Sequence, residues 1–189
     1  MFIRSERLFL RPGWAEDWQE LTVAMADRSV AGNRAQAPWP CRGKDAQAFL
    51  AMRPNMDLPT FLVTLPGPGG APIIGVAGLH RRDDAVELGY WIAPQHWGQG
   101  YASETVRCVL AVAQALGHRR VFARHFVDNK ASGRVLEKAG FRRTGRVFNG
   151  FGEGRGVACP MREYAIALDR PSGCDNDPAD GAMARRHAA

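Results

Sequence analysis

The sequence predicts an α/β domain of the α+β kind, with a mixed, mostly antiparallel central sheet of about seven strands flanked by about four helices. Three observations predict it. Short apolar runs with period-two alternation recur along the chain. Two longer segments carry apolar residues at helical spacing and each stops at a glycine, Gly117 and Gly140. The order of the runs, β-α-α-β-β-β-α-β-α-β-β, interleaves the two types.

The elements follow in order. Arg7-Leu-Phe-Leu-Arg-Pro reads as a first strand ended by Pro12. Trp14, Trp18, Leu21 and Met25 recur at helical spacing and predict a first helix. A second runs from Asp45, a plausible cap, through Ala48, Phe49 and Met52. Between them Pro38-Trp39-Pro40 is a stiff loop that either lines a pocket or plugs the core. Thr60–Thr64 and Ile73–Leu79 flank the loop Pro66–Pro72 and predict an antiparallel hairpin. The central strand follows, with Val86, Leu88, Tyr90 and Ile92 on one face and Glu87, Gly89, Trp91 and Ala93 on the other.

After Gly100 a helix stripes Ala102, Val106, Val109, Leu110, Ala113 and Leu116 on one side. Arg120–Val127 is the next strand, and Asp128-Asn129 opens a helix that buries Val135, Leu136 and Ala139. Two closing strands, about residues 142 to 148 and 161 to 168, flank a loop holding Gly150, Gly152, Gly154 and Gly156. The expected domain covers residues 1–169. From Arg170 to Ala189 the chain is rich in Pro, Gly, Asp and Ala without periodicity, and disorder is expected there.

The 189 residues fit one domain, and 46% hydrophobic content supports a core. No run of about 18 apolar residues is present, so no membrane span is expected. The first residues lack the apolar core of a signal peptide. Cys41, Cys108, Cys159 and Cys174 form no C-x-x-C pair, so no metal or disulfide framework is expected and a reduced, cytoplasmic setting is the default. The net charge of +6 lies on the folded part, because the three arginines and three aspartates from Arg170 onward cancel. Such a surface attracts nucleic acid, a phosphorylated cofactor or an acidic partner alike.

Residues Val86 to Glu104 organise the chain. A strand stopped by Pro94 feeds through Gly98 and Gly100 into a helix, which gathers backbone N–H groups at the positive end of a helix dipole. A P-loop would need a lysine after the glycines, and a dinucleotide loop a glycine where Ser103 stands. The pattern [Q/R]-x-x-G-x-[G/A] is matched by Gln95-His96-Trp97-Gly98-Gln99-Gly100. With Glu87-Leu-Gly-Tyr-Trp-Ile-Ala-Pro before it and Asp128-Asn129-Lys-Ala-Ser132 through Phe141 after it, the chain resembles the GNAT superfamily of N-acetyltransferases, in its RimJ/RimL-like branch, over roughly residues 5 to 168.

That resemblance implies acetyl transfer from acetyl-coenzyme A to an amine. It implies that Gln95, His96, Trp97, Gly98, Gln99, Gly100, Tyr101 and Ala102 form the pyrophosphate loop, and that Trp91, Ile92 and Ala93 pair with the pantetheine arm where the strand splays from its neighbour at a bulge. Arg107 and Arg134 either reach phosphate or are ordinary helix charges. Asn129 would bond pantetheine or simply cap its helix. Ser132 is the implied acid for the leaving thiolate, with Tyr164 as the alternative.

The attacking amine must be neutral. Deprotonation at pH 7 costs about 1 kcal/mol for an α-amino group and about 4.6 kcal/mol for a lysine. Glu87, on the Trp91 face of the central strand, is the candidate base, or else it pairs with a basic neighbour such as Arg81 or Arg82. Glu153 is a second candidate. His80, His96, His118 and His125 lack metal-ligand spacing, so no metal is expected. The implied partner is an amine, either a protein N-terminus or a small molecule, with no membrane and no direct nucleic-acid contact. The chain would act as a monomer, or as a homodimer through a patch at Phe148 or Phe151. A non-catalytic acyl-coenzyme A-binding domain on the same fold is the competing expectation.

Overall fold

The computed structural model describes residues 1–33 and 40–168. The expected loop at Pro38-Trp39 and the expected tail after residue 169 lie outside the described residues. Eight strands form one sheet in the order β1-β2-β3-β4-β5-β6-β8-β7, and every neighbouring pair is antiparallel except β5 and β6. Strands β1 (Ile3–Arg4), β2 (Phe9–Arg11), β3 (Thr60–Thr64), β4 (Ile73–Arg82) and β5 (Ala85–Ile92) form the N-terminal half. Strands β6 (Arg120–Phe126), β7 (Arg142–Gly152) and β8 (Val157–Ala167) form the other.

Helices α1 (Trp18–Met25), α2 (Arg28–Gly32) and α3 (Gly43–Leu50) precede the hairpin, and α4 (Tyr101–Ala115) and α5 (Lys130–Lys138) follow it. The central-strand alternation places two cores. Val86, Leu88 and Ile92 pack with Val106, Val109 and Leu136 beneath α4 and α5, while Trp91 and Ala93 pack with Leu21, Met25 and Ala46 beneath α1 to α3. Val106 and Val109 are fully buried, and each such side chain contributes about 2 kcal/mol through area removed from water.

Four features differ from the sequence reading. The two-residue β1 is additional. Helix α2 is also additional; Asp27 caps it, accepting from the Ser29 N–H at 2.7 Å. Asp45 is not the cap of α3 but sits one turn in, accepting from the Arg42 N–H at 2.7 Å. The glycine-rich loop is shorter than expected, because Gly150 and Gly152 belong to β7 and pair with Cys159 and Val157. Gly154 then lies against the Ala31 carbonyl, where a Cβ would stand 2.4 Å from that oxygen. Arg155 clasps this turn, donating to the Asp128 carboxylate at 2.7 and 2.9 Å and to the Gly32 carbonyl. Phe151 is exposed, whereas Phe148 is half-buried with the Arg124 guanidinium over its ring.

Candidate active site

The site is built where β5 and β6 part. β5 holds β4 in unbroken register from Ala85↔Arg82 to Ile92↔Gly75, whereas its register with β6 is the single pair Glu87↔Phe122. The Ala93 N–H donates to the Ile74 carbonyl at 2.8 Å. Antiparallel alternation therefore turns the backbone groups of Glu87, Gly89 and Trp91 and the Ala93 N–H toward β4, and those of Tyr90 and Ile92 toward the opening beside β6. This corrects the expectation for Trp91 and Ala93, whose backbone groups are committed. The Ile92 carbonyl is occupied as well, accepting from the Trp97 indole N–H at 2.6 Å. What faces the opening is the Tyr90 backbone and the Ile92 N–H. The expected bulge is absent from β5; a register shift lies between β3 and β4, at Val63/Thr64.

Past β5, a 3-10 turn at Pro94–His96 uses two amides of the expected loop. The His96 N–H donates to the Ala93 carbonyl at 2.9 Å and the Trp97 N–H to the Pro94 carbonyl at 3.0 Å. The open cradle thus starts at Gly98. The N–H groups from Gly98 to Ser103 have no acceptor among the described residues, and α4, 15 residues long, adds its dipole. Gly98 (φ 75°) and Gly100 (φ 84°) are left-handed, a conformation that aims successive amides into one concavity and that glycine adopts without strain. Apart from its chain neighbours, no atom of the described residues lies within 4 Å of where a Gly98 Cβ would stand, so the approach is open. These are the features a pyrophosphate requires.

The side chains around the cradle brace it. Gln99 reaches back to the Gln95 carbonyl at 3.3 Å. Arg7 donates to the Gln99 carbonyl at 2.9 Å, pairs with Glu104 at 2.6 Å and lies over the Tyr101 ring. His96 meets Tyr101 edge-on, and Ala102 is half-buried on the first turn. Arg107 and Arg134 are exposed helix residues.

Helix α5 brings the second set. Asn129 Oδ1 accepts from the Ser132 N–H at 3.1 Å, so this side chain caps the helix. Tyr90 donates to the Ser132 carbonyl at 3.3 Å, and burial pushes its phenol up to about 12. Tyr164, the alternative acid, is engaged elsewhere; it donates to Glu137 at 3.1 Å and accepts from Arg143 at 3.2 Å. His125 Nδ1 lies 2.7 Å from the Phe126 carbonyl. A carbonyl only accepts, so Nδ1 carries the proton and Nε2, which has no hydrogen-bond partner among the described residues, presents a lone pair. Burial, more than any neighbour, lowers the His125 pKa.

A cavity of about 250 Å³ runs through the opening. Tyr90, His125 and Ser132 line it on the α5 side, and Glu87, His80 and Arg124 on the other. Glu87 is 7% exposed, with Arg124 Nε at 3.4 Å, Arg82 Nε at 3.6 Å and His80 Nε2 at 3.9 Å. Its pairing with Arg82 was foreseeable; Arg81, the other candidate, is exposed. Burial lowers the His80 pKa, with Glu87 opposing and Arg82 and Arg124 adding to the fall, so its imidazole is neutral at pH 7. Glu153 is exposed in the β7–β8 turn and does not line the cavity.

Sequence reasoning missed His80, His125 and Arg124. For Arg124 and His125 the available signal was in the strand itself: the pair follows the apolar run Val121-Phe122-Ala123, placing one polar side chain on each face. Among the described residues no group of three or more His, Cys, Asp or Glu could hold a metal ion.

Comparison with known proteins places this geometry. Residues 7–142 match the family model described as the acetyltransferase (GNAT) domain. YoaA of Bacillus subtilis (strain 168), described as an uncharacterized N-acetyltransferase, is 42% identical over 77 residues, which are 39% of this chain and 44% of YoaA. The match thus spans less than half the length of that relative. The crystal structure of a GNAT-family acetyltransferase from Bacillus anthracis superposes with a TM-score of 0.75 at 27% identity, covering 88% of this chain and 98% of that one. RimL, an alpha-N-acetyltransferase of a ribosomal protein in complex with coenzyme A, superposes with a TM-score of 0.72 at 18% identity, covering 90% and 100% of the two chains.

Proposed function

This chain belongs to the GNAT acetyltransferase domain family, and on that footing we propose that it is an N-acetyltransferase that moves the acetyl group of acetyl-coenzyme A onto a primary amine by direct attack on the thioester. The observation that carries the reading is continuity: the parting of β5 from β6 leads, within a few residues, onto the open amides of Gly98 to Ser103. One suits an extended amide-bearing arm and the other a pyrophosphate, and the two groups belong to one cofactor.

In this reading the Gly98–Ser103 amides hold the pyrophosphate, and the Tyr90 backbone and Ile92 N–H pair with the arm. An N–H facing the opening polarises the thioester carbonyl as negative charge develops on its oxygen. Glu87 accepts the proton of the attacking amine, directly or through water. The Ser132 hydroxyl lies beside the cavity and donates toward the leaving sulfur. Coenzyme A bound to RimL, on the same fold, supports the cofactor and the RimJ/RimL-like branch; on that branch the acceptor is a protein N-terminus, and within the family at large a small amine. Cys108 and Cys159 are free thiols, which suits a reducing, cytoplasmic setting.

The test is thiol release from acetyl-coenzyme A across a panel of peptides and small amines. Transfer to at least one amine, in proportion to thiol released, is expected. Tight acetyl-coenzyme A binding with no transfer to any amine would favour the non-catalytic alternative.

A further inference from the structure

Glu87 and its neighbour Glu163 are held more loosely than the other arginine-paired carboxylates among the described residues. Those other pairs are short: Arg11–Asp17 at 2.7 Å on both oxygens, Arg155–Asp128 at 2.7 and 2.9 Å, Arg7–Glu104 at 2.6 and 2.8 Å. Those values are the ordinary length of a charge-assisted hydrogen bond. Around Glu87 the contacts stretch from 3.4 to 3.9 Å. Glu87 Oε2 and Arg124 Nε are both buried, and neither has a hydrogen-bond partner among the described residues. An acceptor and a donor thus stand unsatisfied side by side in one cavity, a state that costs each group its hydration.

The charges are also unequal. Arg124 shares Glu163 with Arg146, at 3.3 and 3.7 Å, so the guanidiniums of Arg82, Arg124 and Arg146 divide two carboxylates. Beyond Arg82 and Arg124 opens a cleft of about 650 Å³. Five arginines (82, 119, 120, 124 and 146) line it against Asp83, Asp84 and Glu163. Such a surplus draws anions inward and repels cations.

We propose that the acceptor is a small amine carrying a carboxylate in the same molecule, an amino-acid-like compound, with its amine on Glu87 Oε2 and its carboxylate on Arg124 and Arg82. This rests on the acetyltransferase reading above. The two ends of such a molecule supply the donor that Oε2 lacks and the acceptor that Arg124 Nε lacks. The cavity of about 250 Å³ admits a compound of that size, and Phe49, Trp91 and Met161 give it an apolar wall. Carboxylate binding also draws the two guanidiniums from Glu87, which frees it to take a proton. In the reaction the amine nitrogen bonds to the acetyl carbon and the carbon–sulfur bond breaks. One amine proton passes to Glu87, the sulfur leaves as thiolate and gains a proton, and an N-acetyl amino acid and coenzyme A are released.

The experiment compares acetylation of the free amino acids with acetylation of their α-amides and of short peptides, with acetyl-coenzyme A binding measured on each protein. The amide's amine is the more easily deprotonated, so intrinsic reactivity opposes the expected order. At least one free amino acid should exceed its amide in kcat/KM by about tenfold or more, because an unpaired buried guanidinium penalises the amide. Arg124→Gln, and Arg82→Gln at the more exposed of the two positions, should bring that ratio toward one while acetyl-coenzyme A binding is kept. Amides or peptides acetylated as well as or better than every amino acid would overturn the proposal, as would no acetylation of any amino acid by a protein that binds acetyl-coenzyme A. A wild-type protein that fails to bind acetyl-coenzyme A would overturn the enzyme reading itself.

Discussion

Glu87 and Arg124 meet at 3.4 Å across the seam between β5 and β6, beside the Glu87↔Phe122 pair that joins the two strands. The contact puts a carboxylate at the point where the sheet opens, so the group proposed to move the proton also sits in the seam of the fold.

Replacing Glu87 should therefore affect turnover and stability separately. Glu87→Gln is expected to lower kcat about 10²- to 10³-fold, with KM for acetyl-coenzyme A nearly unchanged. The loss of a partner for two half-buried guanidiniums should lower stability by about 2 kcal/mol. Steady-state kinetics and urea unfolding read the two effects. A variant with wild-type kcat would remove Glu87 from the chemistry.

Ser132 and Tyr164 should separate cleanly. Ser132→Ala is expected to reduce kcat by about tenfold to a hundredfold, with the helix cap from Asn129 intact because it uses the backbone N–H. Tyr164→Phe removes a hydroxyl committed to Glu137 and Arg143, so it should lower the melting temperature and leave kcat within about twofold of wild type. The reverse pattern in a kinetic comparison would make Tyr164 the acid.

The Arg7–Glu104 latch ties the β1–β2 turn to the first turn of α4, and Arg7 also holds the Gln99 carbonyl. Arg7→Gln is expected to weaken acetyl-coenzyme A binding about tenfold by loosening the cradle, with kcat at saturation little changed. Titration calorimetry and kinetics at saturating cofactor check it; an unchanged dissociation constant would show that the glycine loop needs no such brace.

Acid should weaken the fold before its carboxylates are protonated. His125 and His80 are both held below 6.5, chiefly by burial. The unfolded chain binds protons there and the folded chain does not, so their contribution is complete above 6.5 and is lost as pH falls below it. Asp17 and Asp128 are held below 3.8, and Glu104 below 4.5. Burial opposes the shift at Asp17 and Glu104 but is outweighed, at Asp17 by hydrogen bonds from Arg11 and the Trp14 N–H and at Glu104 by hydrogen bonds from the Ser5 hydroxyl and from Arg7; for Asp128 the Arg155 hydrogen bond is the main cause. These three keep their effect until lower pH. Urea unfolding at pH 7.5 and 5.5 should differ by about 1 kcal/mol in wild type, and by less in His125→Gln.

Much of this was legible in the sequence, because the decisive signals are local. Gly98, Gly100 and Gly117 bound α4, and the alternation from Val86 to Ala93 assigns both cores. What stayed hidden depends on contacts distant in sequence. That Trp91 spends its backbone and Ala93 its N–H on β4 follows from the parity of the β4–β5 hairpin, set by its turn at Asp83-Asp84. That Arg124 and His80 converge on Glu87 follows from sheet order, which brings β4 and β6 to opposite sides of β5. The short β1 and five-residue α2 are held by tertiary packing more than by propensity.

The central claim is that the left-handed glycines and open amides of the β5–α4 turn hold the pyrophosphate of acetyl-coenzyme A. Titration calorimetry of acetyl-coenzyme A into wild type, Gly98→Val and Gly100→Val tests it most directly. One-to-one binding by wild type is expected, weakened at least about a hundredfold in both variants, since a β-branched residue is strained at these angles and obstructs close approach. No binding by the wild type, or equal binding by all three folded proteins, would contradict it.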